Sequence, residues 1–134
     1  MLKALASACV FAMLAFTSTA THAHTTDHRT YFTFSGPVTL PGVTLPARTY
    51  LFRNPDTSRR VVQVLSDDGM TAYAQLLTIP AERFDVPKDP EIQFMETAEG
   101  NPPAIKAWWY PGNRIGWEFI YSKEQELRLA TQAG

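Results

Sequence analysis

The chain reads as an all-β domain: an antiparallel β-sandwich or barrel-like sheet of about seven or eight strands with one short C-terminal helix. Three observations predict it. Turn residues interrupt the segment Thr25 to Leu129 roughly every eight to twelve positions. The runs between them are short and rich in β-branched and aromatic residues. All ten prolines and all seven glycines fall after the opening apolar segment, where they punctuate rather than sit inside long helical patterns.

Taken in order, Arg29 to Phe34 alternates, with Tyr31 opposite Phe32 and Phe34, and Ser35-Gly36-Pro37 ends it. Val38 to Leu40 and Val43 to Leu45 form a hairpin around Pro41-Gly42, since proline presets φ and glycine accepts a positive φ. Ala47 to Arg53 places Tyr50 and Phe52 on one face and Leu51 on the other, before Asn54-Pro55-Asp56. Arg60 to Leu65 and Thr71 to Ile79 make a second hairpin around Ser66-Asp67-Asp68-Gly69. Pro80 to Pro90, with three prolines and several charges, reads as a loop with room for one helical turn. Glu91 to Thr97 alternates again. Ile105 to Tyr110 and Ile115 to Tyr121 flank Pro111-Gly112-Asn113. The tail changes period. Ser122 with Gln125 fits a capping box, and Leu127 with Ala130 makes one helical face over Lys123 to Thr131. A helix this short needs a sheet to dock on.

The first segment, residues 1–23, reads as a secretory signal peptide. Lys3 is its basic start, Ala4 to Phe16 its apolar run, and the small residues near Ala20 and Ala23 offer two cleavage points, of which Ala23 is preferred. The run is shorter than the ~20 residues a bilayer span needs. The single cysteine, Cys9, lies inside it rather than after it, which argues against lipidation. Residues 24–134 are then one domain that is exported, periplasmic or extracellular, free of cysteine, with no membrane span. About 110 residues can bury a core without disulfide staples.

Composition narrows the function. The 134 residues are 45% hydrophobic and 19% charged, with a formal net charge of −1. That balance lacks the basic excess of a nucleic-acid binder and is too apolar for a disordered chain.

Three stretches carry a family resemblance. They are Tyr31-Phe32-Thr33-Phe34-Ser35-Gly36-Pro37-Val38, then Leu40 to Tyr50, then Ala107-Trp108-Trp109-Tyr110-Pro111-Gly112 with Gly116-Trp117-Glu118-Phe119-Ile120-Tyr121. Together they resemble a family of small, exported, β-rich bacterial proteins with no established function. The resemblance implies export and a mostly β fold, and transfers no site residues. The chain departs from that pattern at Arg48, where glycine is usual, and at Ser122, where proline is frequent.

Candidate chemistry is sparse. Trp108 and Tyr110 share one face of a strand and Trp109 takes the other, while Trp117, Phe119 and Tyr121 share a face of the next. Trp108, Trp109, Tyr110 and Trp117 are therefore candidates for a contact surface for a glycan, a peptide or an envelope protein. The competing reading is a sandwich core, because aromatic rings dominate small cores by area. Adjacent tryptophans cannot both point inward, so the helix, a loop or a partner must cover one of them. The three histidines, His22, His24 and His28, cluster near the cleavage point. Cleavage after Ala23 would make His24 an amine-imidazole chelator of copper or zinc, with His28 as a further nitrogen. Otherwise no cofactor is implied. Glu96, Glu99 and Glu118 are the raw material for a small hydrolase, the reading that ranks last: no spacing demands their pairing and no nucleophile motif accompanies them. Arg53, Arg59 and Arg60 make a small basic spot that suits an anion or a phospholipid head group. The leading expectation is a non-catalytic binding or accessory domain of the bacterial envelope.

Overall fold

Nine strands and one helix form in the computed structural model, which describes residues 28–55 and 59–131. Residues 1–23, which the sequence reads as a signal peptide, and His24 lie outside the described residues. The strands are β1 (His28–Thr33), β2 (Val38–Leu40), β3 (Val43–Leu45), β4 (Thr49–Asn54), β5 (Val61–Ser66), β6 (Ala72–Glu82), β7 (Glu91–Met95), β8 (Ala104–Trp109) and β9 (Ile115–Phe119), followed by α1 (Lys123–Ala130). The fold is all-β with one short C-terminal helix, and its sheet order β1-β4-β5-β6-β9-β8-β2-β3 does not close into a barrel.

Strand β6 explains the layering. Its first half pairs with β5, from Leu65↔Ala72 to Val61↔Leu77. Its second half pairs with β9, from Thr78↔Phe119 to Glu82↔Ile115. One continuous strand therefore leaves one sheet and enters the other, a recognised way of turning a sandwich corner. The sequence suggests a loop from Pro80, but the strand runs on to Glu82. The reason lies in the ladder. The amide of Thr78 donates toward β5, to the carbonyl of Arg60 at 2.8 Å. Two residues on, the Pro80 nitrogen points the same way, beyond the start of β5, so its missing N–H costs no bond there.

The core lies between the layers. Tyr50, Phe52, Val62 and Val64 from the first sheet meet Trp108, Trp117 and Phe119 from the second, all buried. Leu51 is also buried although it faces outward, because Tyr31 and Leu65 flank it in register. In the second sheet, β8 carries β7 along one edge and β9 with β2 along the other. The β2 contact is a single parallel pair, Thr39↔Ala104. So thin a seam needs support, and Tyr121 gives it. Its buried hydroxyl donates to the carbonyl of Ile105 on β8 at 2.6 Å and lies 3.1 Å from that of Thr39 on β2.

Helix α1 locks the same region. The Ser122 hydroxyl caps it by accepting from the Gln125 amide at 3.1 Å, as the motif suggests. The other half of the expected capping box does not form. The Gln125 side chain instead reaches the β2–β3 turn, accepting from the Gly42 amide at 3.0 Å and donating to the Leu40 carbonyl at 3.1 Å. Gly42 sits there with φ 78°, as the Pro-Gly turn requires. The docked face is accordingly Gln125 and Leu129, not the expected Leu127 and Ala130, which are exposed. The polar anchor at Gln125 rotates the helix so that the residue four positions on turns inward.

Tyr121→Phe should cost about 1–3 kcal/mol, because buried carbonyls lose their donor, and should lower Tm by roughly 5–15 °C in thermal denaturation. Burial holds the Tyr121 phenol well above its ordinary value near 10, so the folded state keeps a proton that the unfolded state gives up. Stability should therefore fall as pH rises past about 10, and that alkaline loss should shrink in Tyr121→Phe.

Candidate functional site

At the corner where β6 changes sheets, the layers part and leave a cleft of about 410 Å³. That volume falls within the range of small-molecule sites. His28 opens β1 at its rim, opposite Asn54, the last residue of β4. The Asn54 side chain donates to the Val61 carbonyl at 2.7 Å, tying the end of β4 to the start of β5. Arg59 and Arg60 lie just before β5. Both the amide and the hydroxyl of Thr78 donate to the Arg60 carbonyl, at 2.8 and 2.9 Å. From the second sheet, the Trp117 indole N–H donates to the Arg59 carbonyl at 3.1 Å. The backbone beneath both arginines is thus fixed from across the corner, while their side chains are exposed. Pro80, Ile115 and Gly116 line the side toward β6 and β9.

The wall of the cleft is aromatic. The Trp117 ring stacks on Trp108 with centroids 4.4 Å apart and planes 26° from parallel. The His28 ring stands edge-on to Tyr110 at 4.5 Å and to Trp117 at 5.5 Å. Four sequence candidates thereby come together: Trp108, Tyr110, Trp117 and His28. Their exposures differ. Trp108 is wholly buried, Trp117 is 8% exposed along the cleft, and Tyr110 is half-buried. The ring faces of the hairpin are core rather than open surface. Trp108 also carries an indole N–H with no hydrogen-bond partner among the described residues.

Trp109 stands apart on the outer face. It is nonetheless only 5% exposed, which answers the alternation problem. Its cover is not the terminal helix. The ring lies over Gly116, where an added Cβ would come within 2.6 Å of Trp109 Cε3 and of the Trp108 carbonyl oxygen. The Arg83 guanidinium caps the ring 5.0 Å from its centroid. Arg83 is held in turn by Asp85 at 3.2 Å and Glu91 at 2.6 Å, and these partners raise its pKa further. The indole N–H donates to Gln93 at 3.4 Å.

The remaining candidates are dispersed. Glu118 sits on the outer face of β9 in register with Ile79 and Ala107, and neither Glu96 nor Glu99 lines the cleft. Arg53 leaves the basic spot, donating to Gln63 at 3.1 Å. Among the described residues no group of three histidine, cysteine or acidic side chains could hold a metal ion, and no helix is long and apolar enough to cross a membrane. Thr78, Asn54 and Asn113 line the cleft without a sequence signal, because they read there as strand and turn formers. Comparison with protein-family models, curated proteins and solved structures finds no match.

Gly116→Ala should cost about 1–3 kcal/mol by overpacking, since the Trp108 carbonyl cannot move aside. Arg83→Ala, which leaves that contact alone, should uncover Trp109. Its emission should shift to the red and acrylamide quenching should rise, with little change elsewhere in the spectrum.

Proposed function

We propose that the protein is an exported, non-catalytic binding or accessory domain of the bacterial envelope, with its contact site in the corner cleft rather than on an open aromatic surface. The observation that carries this reading is the cleft itself: about 410 Å³, walled by Trp117 and rimmed by His28, Arg59 and Arg60. Concave sites with an apolar wall and a few converging polar groups are the usual form of a small-ligand site. The wall is also rigid. Trp117 is pinned by its stack on Trp108 and by its bond to the Arg59 carbonyl, so little ordering entropy is lost when a ligand settles.

The lining favours binding over catalysis. It holds no carboxylate and no cysteine among the described residues, and its one hydroxyl, on Thr78, already donates to the Arg60 carbonyl. A nucleophile within reach of a base is the minimum for covalent hydrolysis, and among the described lining residues the one hydroxyl is already committed to a backbone carbonyl. Export rests on the leader of residues 1–23.

Two measurements test the reading. Chain recovered from a bacterial periplasmic fraction should begin at His24 by mass spectrometry; an intact Met1 there would remove the export half. A mixture of small aromatic and sugar fragments, titrated into isotopically labelled protein, should move the amide resonances of His28, Asn54, Arg60 and Trp117 together. Shifts confined to other surfaces, or none at millimolar concentration, would overturn the cleft as the contact site.

A further inference from the structure

Among the described residues three strands have a neighbour on one side only: β1, β3 and β7. An open strand edge presents unpaired backbone groups, and folded domains blunt it with brevity, proline, charge or a bulge. β3 is three residues long, and Pro46 follows it. β7 starts after Pro90 with the charged Glu91 and breaks register between Gln93 and Phe94, as a bulge does. β1 has no such device. Its six residues keep unbroken register with β4, from His28↔Asn54 to Thr33↔Thr49, with no proline among them. From Thr30 to Gly36 the chain carries no charge.

The β1–β4 ladder fixes which backbone groups face outward. The Phe34 amide donates to the Arg48 carbonyl at 3.1 Å, so these two form a hydrogen-bonded pair. Such pairs alternate with pairs whose backbone groups point the other way and whose side chains lie closer. Thr33 with Thr49 is of the second kind, and their hydroxyls sit 2.7 Å apart. Tyr31, two residues back, is of the same kind. The N–H and C=O groups of Tyr31 and Thr33 therefore face away from β4, toward the open edge. Beside that edge lie incompletely covered rings. Tyr31 is 57% exposed on the outer face. On the inner face Phe32 and Phe34 are half-buried with centroids 6.4 Å apart, and Phe34 meets the exposed Phe94 of β7 at 6.5 Å.

We propose that β1 is a dimerisation edge whose partner is β1 of a second copy of this chain, antiparallel about a two-fold axis at Phe32. Tyr31 and Thr33 of each copy then bond through their backbones to Thr33 and Tyr31 of the other. Phe32 faces Phe32 of the second copy at a non-hydrogen-bonded position, where side chains approach most closely and aromatic pairs are favourable. Tyr31 falls beside Thr33 of the second copy on the outer face. The strand's own charge, on Arg29, falls opposite Ser35 of the second copy, so the two-fold sets no like charges face to face. A neutral aromatic edge suits a neutral aromatic strand, and this chain supplies one. One sheet then runs β4-β1-β1-β4 through both copies, an isologous contact that closes. The pairing stands apart from the reading of the corner cleft as a binding site.

Light scattering on the full mature chain, from micromolar to millimolar concentration, should show the mass rising twofold, from one chain to two. Hydrogen exchange at the Tyr31 and Thr33 amides should slow over the same range. Tyr31→Pro removes an N–H that β4 does not use, and Thr33→Lys sets a charge on the edge. Each should hold the chain as a monomer while circular dichroism stays that of the β fold. If Tyr31→Pro disturbs the fold, Thr33→Lys decides. A wild-type chain still monomeric at millimolar concentration overturns the proposal. Slow exchange at Tyr31 and Thr33 in such a monomer assigns the edge to another segment of the same chain. A dimer that survives Thr33→Lys is built on another surface and also overturns it.

Discussion

Thr78 is the point from which the rest of the architecture follows. Its amide and hydroxyl both reach the Arg60 carbonyl, its side chain is buried, and its strand partner on the other side is Phe119. On one side of it β6 belongs to the first sheet, and on the other to the second. Strands that switch sheets in this way let two layers face each other without a long crossover connection. The geometry has a cost, because layers that share a bent strand cannot stay in contact right up to the bend. The cleft is the space left over, and Trp117 spans part of it by bonding to the far side.

A second constraint is the pleat. Two bulky neighbours on a strand must face opposite ways, and the chain places Trp108 and Trp109 side by side. Trp108 finds a ready-made interior. Trp109 has to be given one, and the chain does it with a residue that has no side chain and a residue with a long one. Gly116 lets the ring lie against the backbone of β9, and Arg83, leaving the end of β6, covers it. Glycine within a strand often marks such a close approach, and an aromatic ring across from it restores the lost packing. The run-on of β6 past Pro80 is what delivers Arg83 to that place.

Much of the fold was legible because period and punctuation are local properties. The two hairpins, the Pro-Gly turn and the helix start at Ser122 each depend on neighbours a few residues away. What could not be read depends on distant pairing. Pro80 looks like a stop until the end of β5 is known. Gln125 looks like a capping residue until the β2–β3 turn lies beside it. The same holds for the candidate site. The aromatic hairpin was visible, as were the two adjacent arginines and His28, but as separate features. Their meeting at one corner rests on β6 changing sheets at Thr78, which no short window of sequence encodes.

The seam between β2 and β8 has a temporal consequence. Its supports, the Tyr121 hydroxyl against Thr39 and the Gln125 amide against Leu40, bridge positions 82 and 85 residues apart. Contacts that distant form late, because long loops must close first. The β2–β3 ribbon is too short to be stable alone. It therefore waits for residues near the other end of the chain, which act as a clasp. Until that clasp shuts, the ribbon has a single parallel pair to hold it to β8; afterwards, residues from the far end of the sequence fasten it in place.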